Sequence, residues 1–326
     1  MNCKICNSIH FFPVIEVKEM MFGSRTIYPY VQCAACLCLQ LVNQETNENK
    51  KYPVQYYSFN TYQKNTVKSR IKRFIIKQSV AKALGEANAL FSVFAQKERQ
   101  SGAHALKGKI KITSSILDVG CGDGKLIEAL SGCGYQHLKG IDPYLEKDVF
   151  RNKYSLLRKN IGDMPSDEKF DVIMMHHSFE HMDDPFETIG HVGRLLNPRG
   201  VCIIRIPVAD SYVFEKYKEH WVQLDAPRHI FLHSNASMKL IAEKKNMKIA
   251  AIVDDSTAFQ FIGSEQYLHD IPLDDSRSFF VTPLKKTPFN KKHLFSRKEI
   301  KSFHQKATEL NQIGKGDQRI FYLTKD

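Results

Sequence analysis

The sequence predicts an α/β chain: a Rossmann-like parallel sheet with helices on both faces, preceded by a small cysteine module and a helical connector. Three observations carry this. Strand-like and helix-like periods alternate from about residue 112 onward, the mark of a parallel sheet covered on both faces. Four of the eight cysteines form two Cys-x-x-Cys pairs within the first 45 residues. Between these regions lies a segment that is first aromatic, then basic. The expected units are therefore 1–45, 46–111 and 112–326.

The bulk properties fit this division. A chain of 326 residues with 43% hydrophobic content can bury one substantial α/β domain and a smaller attachment. No apolar run approaches the roughly 20 residues that span a bilayer. The start, Met1-Asn2-Cys3-Lys4, lacks the apolar stretch of a secretory signal, so a cytoplasmic protein is expected. The net charge of +12 is concentrated: Lys64 to Lys111 holds 12 Lys or Arg against 2 Glu, leaving 35 basic and 33 acidic residues elsewhere. A smaller basic run spans Lys285 to Lys298.

In the first unit, Cys3-Lys4-Ile5-Cys6 and Cys33-Ala34-Ala35-Cys36 are two short knuckles. Each supplies two soft thiolates, the donor set a tetrahedral zinc ion requires. A zinc-ribbon-like site of Cys3, Cys6, Cys33 and Cys36 is expected, with metal supplying much of the module's folding free energy. His10 and Cys38 are the substitutes, and buried or redox-active thiols the bland reading. In the connector, Tyr52, Tyr56, Tyr57, Phe59 and Tyr62 form an aromatic patch. Helical spacing follows, with Val67, Ile71, Phe74, Val80, Leu84, Phe91 and Phe94 predicting one long or broken amphipathic helix. Its basic residues read as a solvated face ahead of a nucleic-acid surface.

The third unit opens with strand Ser115–Val119 and a helix from about Gly124 to Ser131. Strands are expected at Leu138–Ile141, Tyr154–Arg158, Phe170–Met175 and Gly200–Ile206, with a helix over Pro185–Leu196. Ser234 caps a helix to Asn246, and the strand Met247–Val253 follows. Gln318–Leu323 is expected to close the sheet as a final antiparallel edge pair.

The first strand runs into Asp118-Val119-Gly120-Cys121-Gly122-Asp123-Gly124. Alternate glycines let the backbone turn sharply and approach a ligand. The dinucleotide fingerprint, Gly-x-Gly-x-x-Gly, has a wider spacing that presents amides to a pyrophosphate. Here the spacing is tighter and the loop acidic, which suits a cationic ligand better. Asp142, at the end of the second strand, is placed to accept hydrogen bonds from both hydroxyls of a ribose. Asn160-Ile161-Gly162-Asp163-Met164 follows the third strand, where a nucleobase would lie.

The segments Ile116–Gly124, Gly140-Ile141-Asp142, Phe170-Asp171-Val172-Ile173 and Leu195–Gly200 resemble successive motifs of class I S-adenosylmethionine-dependent methyltransferases. The likeness covers about residues 114–253. It implies a seven-stranded methyltransferase sheet whose last strand is antiparallel, with S-adenosylmethionine across the carboxyl ends of the first strands. On this match Asp118, Gly120, Cys121 and Gly122 would line the methionine moiety, Asp142 the ribose, and Asp163 with Met164 the adenine. His176 would face the cofactor from the fourth strand.

The methyl acceptor is expected near His176-His177-Ser178-Phe179-Glu180-His181. Three histidines and a glutamate at a strand end cannot all be core residues, and a neutral imidazole is a plausible general base. His181 is the first candidate, then His177, with His229 as a third; Glu180 is a candidate substrate contact. Glu180-His181 also resembles the acidic-His motif of ubiquinone O-methyltransferases, which holds a divalent ion; His177 stands where that motif has a second Glu, which argues against metal here. Downstream, Trp221, Arg228 and His229 are either walls of the acceptor pocket or parts of a loop packing over the sheet edge. The cysteine module, Tyr56-Tyr57-Ser58-Phe59 and Asp225-Ala226-Pro227-Arg228-His229 together resemble a bacterial group related to sugar C-methyltransferases. That likeness implies a nucleotide-activated sugar or cell-surface polysaccharide precursor as acceptor. The rival is a ribosomal RNA methyltransferase using the basic segment for phosphate contacts. Against it, the catalytic half is nearly neutral, and no Asn/Asp-Pro-Pro-Tyr-type motif for stacking a flipped base is present. A reading of another class is an inactive scaffold, which the intact glycine loop and Asp142 oppose.

Overall fold

A computed structural model describes residues 1–42, 67–86, 102–280 and 293–325. The principal sheet has eight strands. Its centre is β4 (Ser115–Val119), flanked by β5 (His137–Ile141) and β8 (Phe170–His176), both parallel to it. Outside β5 lie β7 (Tyr154–Leu157) and the two-residue β6 (Val149–Phe150). Outside β8 lie β9 (Leu196–Pro207), β12 (Gln318–Lys325) and β11 (Met247–Asp254). Seven of these strands form the methyltransferase arrangement, and β6 adds a short antiparallel edge.

Gln318–Lys325 forms the expected antiparallel edge pair, with β11 as its outer member. It is inserted between β9 and β11 and pairs with both. Its side chains are accordingly buried along six consecutive residues, where an edge strand would alternate. β9 starts four residues earlier than its sequence indicated. The pairing Phe170↔Leu196 precedes a register shift, so the Asn-Pro-Arg-Gly stretch bulges within the strand.

Helices α2 (Lys125–Gly132), α3 (Pro185–Leu195) and α5 (Asn235–Lys244) cover the sheet. The caps match the chemistry: Asp184 accepts from Glu187 N with Pro185 opening α3, and Ser234 accepts from Ser237 N. The connector helix α1 runs Val67–Leu84, and residues 43–66 and 87–101 lie outside the described part. Only its second half has the expected apolar face inward: Val80 and Leu84 are buried, while Ile71 and Phe74 are exposed among the described residues. The sequence reading had not placed α4 (Tyr212–Tyr217), α6 (Phe259–Leu268) or α7 (Arg297–Gln312). Among the described residues, no helix is long and apolar enough to cross a membrane.

The N-terminal strands β1 (Ile15–Lys18), β2 (Ile27–Gln32) and β3 (Leu39–Leu41) form an antiparallel meander. Its fourth strand, β10 (Phe231–Leu232), comes from the catalytic half of the chain and pairs with β3. Cys3, Ile5 and Cys33 share one apolar core with Leu117, Ile173 and Phe231. The cysteine module is thus packed into the α/β layer.

Candidate active site

A cavity of about 810 Å³ opens at the carboxyl ends of β4, β5 and β8, where a doubly wound sheet binds its ligands. One end is built from the loop after β4. Gly120, Gly122 and Gly124 have φ of 77°, 53° and 75°, the left-handed region open to glycine. At Gly120 a Cβ would collide with Ser178, whose hydroxyl donates to Val119 O at 2.7 Å and ties β8 to the loop. Gly120 N and Cys121 N both donate to Ile141 O, folding the loop toward β5.

Two buried carboxylates face this end. Asp142 Oδ2 accepts from Gly122 N and Oδ1 from Tyr144 N, each at 2.9 Å, which fixes the plane of the group. Burial raises its pKa, against the pull of these amides. Asp118 is pushed up to about 7, first by burial and then by the neighbouring charge of Asp142. Asn160, Ile161 and Gly162 supply the next stretch of wall, beyond β7.

The end of β8 and the turn after it bring His176, His177, Ser178, His181 and Met182 to the cavity wall. His177 has φ of 52°, a strained conformation for a residue with a Cβ. Its Nε2 is 2.9 Å from Arg205 Nη1, so the guanidinium donates and occupies the imidazole lone pair. Arg205 is itself held by Asp255 at 2.6 Å, and Asp255 also meets His104 at 3.0 Å. His176 is kept neutral: burial, then the charge of Arg205, lower its pKa to about 3.

His181 is arranged differently. Its Nδ1 lies 2.7 Å from Arg228 O, and since a carbonyl only accepts, Nδ1 carries the proton and Nε2 is the basic nitrogen. His229 repeats this, with Nδ1 2.7 Å from Gln223 O. The two rings meet edge to face, centroids 4.8 Å apart. Behind them Glu180 is fully buried. Burial alone would raise its pKa, but the nearby His177, His181 and His229 imidazoles overcome that and hold it at about 2. One ligand atom from each of Glu180, His181 and His229 lies within 4.8 Å of the others, close enough to grip a cation.

Away from the cavity, the four paired cysteines converge. Cys3 Sγ is 3.6 Å from Cys36 Sγ and Cys6 Sγ 3.5 Å from Cys33 Sγ, with all four sulfurs within 4.8 Å. A tetrahedron with Zn–S bonds of about 2.3 Å has edges of about 3.8 Å, so the donor set fits zinc. Both knuckles share one backbone form: Asn7 N donates to Cys3 O and Leu37 N to Cys33 O, each at 2.9 Å, with φ near 60° at Asn7 and Leu37. The substitutes drop out. His10 is exposed, and Cys38 Sγ contacts Leu39 O and His233 Nδ1 instead.

The cavity therefore gathers Asp118, Gly120, Cys121, Gly122, Asp142, His176, His177, His181 and Arg228 from the expected residues. It does not gather the rest. Asp163 is exposed and turns its carboxylate back to cap Asn160 N at 3.0 Å, while Met164 is buried in the core beneath. Trp221 is fully buried and donates from Nε1 to Asp317 at 2.9 Å, so it packs the molecule and does not line this cavity. Glu180 and His229 form a layer behind His181 and are not part of the cavity wall. Sequence reasoning missed Ser178, Arg205 and Asp255. A charged residue within the apolar run Ile203-Ile204-Arg205-Ile206 was the available signal.

Comparison with known proteins finds relatives named as methyltransferases. A protein of Proteus mirabilis named tRNA U34 carboxymethyltransferase is 26% identical over 198 residues, 56% of this chain and 57% of that protein. A ubiquinone biosynthesis O-methyltransferase of Actinobacillus pleuropneumoniae is 35% identical over 116 residues, 31% of this chain and 47% of the relative. The chain spans about half the length of the first of these curated relatives. A crystal structure of a SAM-dependent methyltransferase from Archaeoglobus fulgidus aligns at 18% identity, covering 72% of this chain and 97% of that one, with a TM-score of 0.43. The family model described as a methyltransferase domain matches residues 81–252, more than half of the sequence and the whole stretch from α1 into β11, so the chain belongs to the methyltransferase-domain family.

Proposed function

We propose that the protein transfers a methyl group from S-adenosylmethionine to a small-molecule acceptor, a nucleotide-activated sugar or cell-surface polysaccharide precursor. The observation that carries this reading is one cavity lined both by the glycine loop with Asp118 and Asp142 and by His181. S-adenosylmethionine supplies an electrophilic methyl on a sulfonium; the residues named here bind it, align it and manage the acceptor proton. Asp142 binds the ribose and the glycine loop the methionine portion, with Asp118 answering the positive charge. Asn160 to Gly162 take the place next to the adenine. Alignment supplies most of the acceleration in such a displacement.

His181 is the general base in this reading. Its Nδ1–H is committed to Arg228 O, so Nε2 is the basic nitrogen that takes the acceptor proton in this reading. His177 is less suited, because Arg205 occupies its lone pair. The two arginines on the wall, Arg205 and Arg228, are already matched by Asp255 and by Asp225 with Glu19, so they are poor candidates for gripping a diphosphate. Relatives named for ubiquinone O-methylation support a small acceptor. A second reading, an RNA acceptor, has the relatives named for tRNA U34 in its favour. In both, Cys3, Cys6, Cys33 and Cys36 hold one structural zinc ion.

Calorimetric titration of the purified protein with S-adenosylmethionine tests the core of the proposal. Saturable binding that Asp142→Ala weakens is expected. Absence of binding to the wild-type chain would refute both enzyme readings.

A further inference from the structure

We propose that the cysteine module forms the rear support of the acceptor site, and that Glu19 is a positioning residue for the basic histidine. This rests on the reading of His181 as the acceptor-side base. Glu19 follows β1 and is only 4% exposed, although it does not line the cavity described above. The chain wraps around its carboxylate: Oε1 accepts from Met21 N and Phe22 N, and Oε2 from Ser24 N, at 3.0–3.1 Å. Oε1 also accepts from Arg228 Nη2 at 2.9 Å, a contact 209 residues apart in sequence.

Arg228 is the joint between the module and the site. Its guanidinium is held by Glu19 and Asp225 and lies 5.0 Å from the Phe22 ring. Its backbone carbonyl receives the Nδ1–H of His181. Whatever fixes Arg228 therefore fixes both the orientation and the tautomer of His181. The module grips the following residues as well. Tyr30 Oη donates to His229 O at 2.8 Å, Leu41 N donates to Ile230 O, and Ser234 Oγ donates to Cys36 O. From the opposite side Ile230 N donates to Glu180 O. The segment 228–234 is thus tied to the module on one side and to the turn after β8 on the other.

Charge makes the Glu19 contact specific. A guanidinium this buried needs matched acceptors, and the bidentate Asp225 contact does not reach the module. Glu19 supplies the charged tie between this arginine and the β1–β2 turn, with the Phe22 ring packed beside it. Glu19→Gln removes the charge, leaves one oxygen to serve all the donors, and faces Arg228 with an amide.

Amide hydrogen exchange of the full chain, with and without S-adenosylmethionine, tests this together with imidazole ¹⁵N spectra assigned through His181→Gln. In Glu19→Gln, exchange over residues 225–233 is expected to accelerate about tenfold or more. The Nδ1–H tautomer of His181 becomes mixed, while exchange over 115–124 and the affinity for S-adenosylmethionine change less than about twofold. Faster exchange confined to residues 15–32, with the His181 signature unchanged, would overturn the proposal and leave Glu19 a local turn-former. If Glu19→Gln does not fold, Tyr30→Phe removes a second tie, and unaltered exchange at 225–233 in that variant equally overturns it. Loss of cofactor binding in the wild type strikes at the methyltransferase reading instead, so the two failures are distinguishable.

Discussion

Asp118 and Asp142 occupy neighbouring strands at one end of the cavity, yet their surroundings give them different tasks. Asp142 has two backbone amides in place and is pre-oriented, so it spends nothing on reorganisation when hydroxyls arrive. Asp142→Ala should weaken S-adenosylmethionine binding about tenfold or more, the scale of a lost charge-assisted hydrogen bond, read by calorimetry. Asp118 makes the site sensitive to pH. Its carboxyl is raised to about 7 in the fold against an ordinary 3.8, so the folded protein keeps a proton that the unfolded chain releases. In the ligand-free protein this contribution is greatest below pH 4 and is lost as pH rises toward 7. A bound cation acts in the opposite sense, because it favours the carboxylate. Affinity for S-adenosylmethionine should therefore rise from pH 6 to pH 8, by at most about tenfold per unit below 7, and Asp118→Asn should flatten the profile. An equally flat profile in the wild type would remove Asp118 from the binding site.

Elements differ in how far they could be read, and the reason is the range of the interactions that make them. Ser115–Val119 has the bounds its sequence indicated, because five apolar-rich residues between turn signals leave one choice. The glycine loop and Asp142 were legible for the same reason, since turn chemistry is local. β10 was not: two residues acquire strand character only from pairing with β3, nearly 200 positions away. Trp221 stayed open between a pocket wall and a packing role because its partner, Asp317, comes from the far end of the chain. Helix α7 was readable in principle, with Ile300, Phe303, Ala307 and Leu310 at helical spacing. Asp163 was ambiguous, since the same side chain serves a ligand or a turn, and here it serves the turn. The two knuckles give the prediction at this scale. Zinc content near one per chain is expected by atomic absorption, and Cys3→Ser should abolish it. Because those cysteines share a core with Leu117 and Phe231, metal loss should lower the melting temperature of the whole protein. A metal-free, stable wild type would rule out the zinc site.

At the scale of the molecule, the question is what its positive charge meets. An RNA acceptor would need phosphate contacts leading into the cavity, and those contacts release counterions, so binding falls steeply with salt. The cavity wall opposes this: Asp118, Asp123, Asp142, Asp183, Asp184 and Glu187 line it against Lys125, Lys159 and two arginines, and Lys125 and both arginines are matched by carboxylates. The basic segment does reach the described surface at Lys107, Lys109 and Lys111, which are exposed just before β4. These lysines allow the two acceptor readings to be separated in one experiment. If the acceptor is a small molecule, Lys107→Glu with Lys111→Glu should leave S-adenosylmethionine affinity unchanged within about twofold, since neither lysine lines the cavity. Any RNA binding by the wild type should then be weak at about 0.15 M salt, in the range of non-specific contacts. If RNA is the acceptor, the double variant should lose RNA affinity at every sequence tested and show a shallower salt slope by about two contacts. Sub-micromolar RNA binding at that salt, reduced by the charge reversal, would replace the sugar reading with the RNA one.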